Sequence, residues 1–182
     1  MALENEEVVI RRCQNGEISA FETIYRHYEK PMLSVAYRML SNKEDAEDAL
    51  QNAFINLYKK IGQFKFDSAF STWFYRIVVN ACFDKQRKGK SWSHVPLDQV
   101  AELSEDLHAE VGHHLQKAID GLPPKMKACF VLFAVQGFKQ REIAEILKMK
   151  EGTIKAQVFE AKARLREVMK DRMGEWRTDD VH

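Results

Sequence analysis

An all-α protein, built as two small helical domains joined by a flexible acidic linker, is predicted from three observations on the 182-residue sequence. Apolar residues recur at helical spacing along nearly the whole chain, and no alternating strand pattern appears. Four prolines and eight glycines leave room for long helices. The charge is partitioned: residues 1–90 carry 14 Lys and Arg against 12 Asp and Glu, residues 91–120 carry 1 against 6, and residues 121–182 carry 13 against 9. Two mildly basic ends flank an acidic middle, which permits nucleic acid as a partner for either end. With 45% apolar and 30% charged residues the chain fills real cores beneath a solvated surface, so disorder throughout is excluded.

Taken in order, Ile18, Phe21, Tyr25, Tyr28, Met32, Val35 and Met39 make one helical stripe, kinked or divided by Pro31. Ser41-Asn-Lys-Glu44 has the form of a capping box, whose hydroxyl and carboxylate satisfy free amides at a helix start. The helix it opens turns Ala46, Leu50, Ala53, Phe54, Leu57 and Ile61 inward and ends at Gly62. After a short aromatic loop, a further helix puts Phe70, Trp73, Phe74, Ile77 and Ala81 on one face and stops near Gly89. Residues 1–90 thus read as one helical domain.

From 91 to 110 the periodicity fails; Pro96 and the acidic run Glu102-Leu-Ser-Glu-Asp106 are linker chemistry. Helical period resumes with Val111, Leu115, Ala118 and Ile119 as far as Gly121. Pro123-Pro124 suits a helix start, and Met126, Cys129, Phe130 and Phe133 line the inner face until Gly137. A short helix over Lys139–Lys148, anchored by Ile143 and Leu147, leads through a tight turn containing Gly152 to a longer helix burying Ile154, Val158, Ala161, Leu165 and Val168. That succession is helix-turn-helix geometry. It makes 111–173 a second domain and 174–182 a polar tail.

No apolar run approaches the ~20 residues of a membrane helix, and the opening MALENEEVVIRR lacks the apolar stretch of a signal peptide. A cytoplasmic protein without membrane insertion is expected. Cys13, Cys82 and Cys129 are odd in number and far apart, which suits neither a disulfide framework nor a paired-cysteine zinc site. No cofactor is expected.

Two constellations have nucleic-acid chemistry. On the last helix, Ala156, Phe159, Glu160 and Ala163 lie opposite the buried stripe, with Lys155, Lys162 and Arg166 along one flank. Small or polar residues aimed at base edges beside cations for phosphates suit a major groove, although an ordinary solvated helix face accounts for the same charges. An outward Phe159 asks for a partner such as a thymine methyl or another protein. In the first domain, Phe64, Phe66, Phe70, Trp73, Phe74 and Tyr75 crowd a loop and helix that continue with Arg76, Asn80, Lys85, Arg87 and Lys88. Rings interleaved with cations suit single-stranded nucleic acid, and an amide beside them suits the edge of an extruded base. A plain aromatic core also accounts for the rings. A third cluster, Glu44-Asp45-Ala-Glu47-Asp48, sits where carboxylates favour a helix N-terminus and also suits a basic partner surface.

The runs Asp45-Ala-Glu-Asp-Ala-Leu-Gln-Asn-Ala-Phe54, Phe70-Ser-Thr-Trp-Phe-Tyr-Arg-Ile-Val-Val-Asn80 and Asp84-Lys-Gln-Arg87 resemble the first conserved domain of extracytoplasmic-function (ECF) sigma factors. Leu122-Pro-Pro-Lys through Arg166, with Glu142-Ile-Ala-Glu-Ile-Leu and Glu151-Gly-Thr-Ile-Lys, is similar to their second, promoter-distal domain. The resemblance implies a protein that binds bacterial core RNA polymerase and directs it to promoters, the polymerase supplying the chemistry. It places Asp45, Asp48, Gln51 and Asn52 against the clamp helices of the β′ subunit, and the second domain near the β flap. Phe64, the loop with Lys65, Ser68 and Ala69, Trp73 and Asn80 would hold a base flipped from the −10 element. Tyr75, Arg76, Arg87 and Lys88 would steady the opened strand or its upstream duplex. Thr153, Lys155, Ala156, Gln157, Phe159, Glu160, Lys162 and Arg166 would face the −35 element. An anti-sigma factor, released by a stress signal, is the implied regulator.

The chain departs from the family where recognition helices often carry arginines: Gln157 and Glu160 stand at two of those positions. Weaker attraction to backbone phosphate, and a less common −35 sequence, are expected. Two other classes account for less of the sequence. A duplex-binding regulator leaves the 64–88 set and the acidic helix without a task. A di-iron bundle would use Glu110-Val-Gly-His113, but such sites need two copies of that spacing and two more glutamates; His94, His108 and His114 add no ordered spacing.

Overall fold

The computed structural model describes residues 3–88 and 115–179, with side chains described as far as 170. The linker at 91–110, the Glu110–His113 spacing, Val111, and His94, His108 and His114 lie outside the described residues. Every regular element among the described residues is helical. The first domain comprises α1 (Glu6–Gln14), α2 (Ile18–Leu40), α3 (Lys43–Lys60), a 3-10 turn at Ile61–Gln63, and α4 (Phe70–Lys88). The second comprises α5, described over 115–120, α6 (Pro124–Ala134), α7 (Gln140–Leu147) and α8 (Glu151–Asp179). The last helix continues past 173, so most of the expected polar tail is helical backbone.

The predicted stripe of α3 is buried in full: Ala46, Leu50, Ala53, Phe54, Leu57 and Ile61. In α2 the phase differs in the first half. Ala20 and Ile24 face the core with Tyr28, Met32, Val35, Ala36 and Met39, whereas Ile18 is 75% exposed and Tyr25 lies at the surface. Phe21 and Tyr25 instead stack against Phe54 and Tyr58 of α3, at 5.2 Å for Phe21–Tyr58 and 4.6 Å for Tyr25–Phe54. Helix α2 runs unbroken through Pro31. At its end Ser41 takes a left-handed conformation (φ 57°), which leaves Asn42 to cap α3 by accepting from the Asp45 amide at 2.9 Å. The cap thus falls one residue later than the capping box predicts.

Phe54, Phe70, Phe74 and Tyr28 form a ring cluster at the centre of the first domain, with centroids 5.1–6.1 Å apart, edge-to-face except for Phe70–Phe74, which is tilted at 38°. Such pairs contribute ~0.5–1.5 kcal/mol each beyond their burial. In the second domain Pro124 stands at the first position of α6 as expected. Met126, Lys127, Ala128, Cys129, Val131 and Leu132 are its buried residues, while Phe130 and Phe133 are only half-buried. Ile146, rather than Leu147, joins Ile143 as the buried anchor of α7. The helix-turn-helix bend is made by Lys148 in the left-handed region (φ 52°), and Gly152 lies inside the first turn of α8. Ile154, Val158, Ala161 and Leu165 face α6 and α7; Val168 is 40% exposed, beyond the reach of that core.

The two domains pack against each other, α4 on α7 and α2 on α6. Tyr75, which lies off the predicted inward face of α4, is buried because the second domain covers it.

Candidate nucleic-acid interface

Most of the α8 residues expected to face the −35 element point outward. Thr153, Lys155, Ala156, Phe159, Glu160 and Arg166 are exposed, Gln157 and Lys162 half-buried. Phe159 is 74% exposed, a cost that an isolated domain has no reason to bear. Glu160 accepts from Arg164 at 2.6 Å, one turn on, so its charge is partly neutralised within the helix. The Lys162 ammonium sits over the Phe133 ring, 4.4 Å from its centroid, which steadies this cation beside the outward face of α8.

The loop before α4 is held from below. Gln14 donates from its side-chain amide to the carbonyls of Ile61 and Phe64, both at 2.9 Å. Phe66 occupies the left-handed region (φ 60°), a conformation costly for an aromatic residue. It is fixed there by Phe64 at 4.9 Å and by the Arg11 guanidinium, 4.6 Å from its ring. Phe64 is itself buried among Phe66, Phe70 and Trp73. Its ring packs beneath the loop whose exposed members are Lys65, Asp67 and Ala69, with Ser68 half-buried, rather than standing out from it as a base contact would require. Trp73 is half-buried in the same cluster.

Asn80 is exposed on α4 and lines a cleft of about 950 Å³ between the domains, together with Asn56, Lys60, Phe83, Arg87 and Lys125. Lys88 is exposed one turn beyond Asp84, with which Arg87 pairs. Besides Phe64, Tyr75 is buried, and Arg76 is half-buried. The Tyr75 hydroxyl donates to Gln136, and burial pushes its pKa up to about 12. Arg76 donates to the carbonyl of Glu145.

On α3 the acidic set is exposed except for half-buried Asp45. Asp45 and Asp48 both meet the Lys85 ammonium of α4, at 3.0 and 2.8 Å, and together they raise its pKa. Gln51 and Asn52 are exposed one turn further on. Beside them lies a surface groove of about 740 Å³ lined by Tyr25, Leu33, Asp48, Gln51, Ile55 and Tyr58. Sequence reasoning missed this apolar patch; its signal was Ile55 and Tyr58 lying off the inward stripe of α3. Among the described residues no three His, Cys, Asp or Glu side chains gather to hold a metal ion, and no helix is long and apolar enough to cross a membrane.

A helix-turn-helix with an exposed reading face, paired with a second helical domain that offers an amide in a basic cleft, defines a bipartite DNA-binding protein. Comparison with known proteins narrows the class. Residues 24–92 match the model of Sigma-70 region 2 and residues 113–165 that of Sigma-70, region 4. The chain is 34% identical over 151 residues to the ECF RNA polymerase sigma factor SigM of Mycobacterium tuberculosis, covering 82% of this chain and 77% of the relative. It is 31% identical over 178 residues to SigW of Bacillus subtilis, covering 89% and 95%. Among solved structures, CnrH in complex with the cytosolic domain of CnrY superposes with a TM-score of 0.72 at 18% identity, over 90% of this chain and 96% of that one. The sigma factor RpoE from Bartonella quintana, solved with the anti-sigma factor NepR, gives 0.70 at 24% identity, over 82% and 96%. The chain belongs to the sigma-70 family, within its ECF group of RNA polymerase sigma factors.

Proposed function

We propose that the chain docks on core RNA polymerase through the exposed face of α3, reads a −35 element with α8, and captures a base of the −10 element beside Asn80. Its acidic residues and the neighbouring Tyr25–Ile55–Tyr58 groove combine charge for orientation with apolar area for affinity. Extruding a base costs a few kcal/mol of stacking, returned when the base enters a fitted pocket. The strained Lys65–Ala69 loop, held by Gln14 and Phe64, is preorganised for that task. The work belongs to the cytoplasm, where polymerase and promoter meet.

One observation carries this reading: two surfaces of different chemistry sit on one chain in region 2 to region 4 order. They are an amide-and-cation cleft on α4 and an exposed ring on a cation-flanked helix on α8. One of the solved structures named above is a sigma factor held by an anti-sigma factor, which supports an anti-sigma partner for this chain too. The test is run-off transcription of genomic fragments by bacterial core polymerase with and without the chain. New start sites seen only with the chain bear out the proposal; unchanged initiation refutes it.

A further inference from the structure

Helix α1 holds no residue assigned to DNA or to polymerase, and it lies ahead of the residues matched to Sigma-70 region 2. It packs on α2 with Val9, Ile10 and Cys13 buried, and the Tyr28 hydroxyl of α2 donates to Glu6 at 2.7 Å. Tyr28 belongs to the central ring cluster, so α1 is tied to the most firmly packed part of the domain. Its other neighbour is the turn at Ile61–Gln63, which opens the loop before α4.

Gln14 straddles that turn. Its side-chain amide donates to the Ile61 carbonyl at one end and to the Phe64 carbonyl at the other, both at 2.9 Å. A carboxamide nitrogen carries two protons, and both are used here. One turn earlier, Arg11 donates to Glu7 from Nε and Nη2, at 3.0 and 2.7 Å, which aims its guanidinium at the Phe66 ring. The left-handed backbone of Phe66 (φ 60°) persists only where its neighbours over-determine it. Phe64 at 4.9 Å and Arg11 at 4.6 Å are those neighbours. Lys65 and Asp67 alternate with the held rings and are exposed, so whatever fixes Phe64 and Phe66 also fixes the outward face of the loop.

We infer that α1 is the support on which −10 discrimination depends, with Gln14 and Arg11 as positioning residues that act through the loop without touching DNA. The inference rests on the promoter reading above for its consequence; the brace itself does not. A pocket for an extruded base discriminates only while its walls stay in place, and a loop freed from α1 relaxes away from its costly conformation. The fraction of chains with a formed pocket then falls, and preference for the right base falls with it.

The test uses the full chain with three substitutions. Gln14→Met keeps the length of the side chain and removes both donors, Gln14→Lys keeps donors at the same reach, and Arg11→Met removes the cation over Phe66. Hydrogen exchange without DNA reads the brace. Gln14→Met is expected to speed exchange several-fold over residues 61–69 and nowhere else, and Gln14→Lys to restore it. Initiation with core polymerase on promoters permuted at single −10 positions reads the consequence. Preference for the favoured base is expected to drop about fivefold in Gln14→Met and to return in Gln14→Lys, with −35 duplex binding unchanged. Arg11→Met is expected to lower the same preference with the salt slope of promoter binding unaltered. A slope shallower by about 0.7 would make Arg11 a phosphate contact and overturn its positioning role. Unchanged exchange in Gln14→Met overturns the brace, and faster exchange throughout the domain makes Gln14 a general stability residue and overturns it equally. Local loosening with full −10 preference overturns the link to discrimination. A wild-type chain with no −10 preference overturns the promoter reading instead, while the exchange rates still decide the brace.

Discussion

The Lys85 ammonium lies 2.8 Å from the Asp48 carboxylate, joining α4 to α3 on the face assigned to polymerase. Asp48 remains 61% exposed, so the pair neutralises the carboxylate only in part and leaves it facing outward. Replacing Asp48 by Lys sets two ammonium groups side by side and reverses the local field. Affinity for core polymerase is expected to fall about tenfold, ~1.4 kcal/mol, chiefly through a slower on-rate that flattens at high salt. A pull-down and stopped-flow series across salt concentrations measures it; full retention of Asp48→Lys on core enzyme would remove α3 from the interface.

Asn80→Ala removes an exposed amide and no buried atom, so folding is expected to be unchanged. If the amide bonds one base edge, discrimination at a single −10 position drops by about 1 kcal/mol, roughly fivefold. Promoter opening on permuted −10 sequences reads this directly. Equal loss at every position, or none at all, counts against a base pocket at Asn80.

Much of the architecture was legible because helical period reports local burial. Ala46 through Ile61 repeats every three or four residues, and all of these face the core. What the period does not carry is burial supplied from a distance. Tyr75 looks outward by its own helix, yet Gln136 and Phe138, more than 60 residues later, close over it. For the same reason Ser41 reads as a cap by local pattern, while its hydroxyl bonds Asp120 and Asn42 caps α3. The α8 face was legible over its first turns, since a two-stripe helix needs no distant partner to orient it, whereas Val168 lies beyond the core that its period pointed to. The Lys85 link to Asp45 and Asp48 was not, because it depends on how α3 and α4 cross.

The three cysteines are expected to behave as apolar core residues. Burial pushes the Cys82 thiol up to about 12 and the Cys129 thiol up to about 11, and raises Cys13 as well. Thiolate is the reactive form, so alkylation at pH 8 is expected to follow unfolding rather than the rate of a free cysteine. The sign for stability follows: the unfolded chain releases these protons near pH 9 while the folded chain holds them. Stability is therefore present below that pH and declines as pH rises towards 11–12. Mass spectrometry after timed iodoacetamide treatment checks the first point. Complete labelling of native protein within minutes would contradict the burial.

Glu160 and Phe159 give opposite predictions on one helix. The Glu160–Arg164 pair is half-exposed, so it stabilises α8 by only ~0.3–0.5 kcal/mol and its loss leaves the helix folded. Glu160→Arg removes an anion, frees Arg164 and adds a cation to the face that carries Lys155 and Arg166. If that face meets phosphate, each new contact steepens the slope of log affinity against log salt by about 0.9. Binding to a −35 duplex should tighten at low salt and lose the gain at high salt, for matched and mismatched sequences alike. Phe159→Ala should leave the slope unaltered, because no charge changes, and instead cost preference for a matched sequence over a mismatched one. Fluorescence anisotropy on both duplexes across a salt series separates the two effects. An unchanged slope in Glu160→Arg, together with unchanged preference in Phe159→Ala, would mean that α8 turns a different face to DNA.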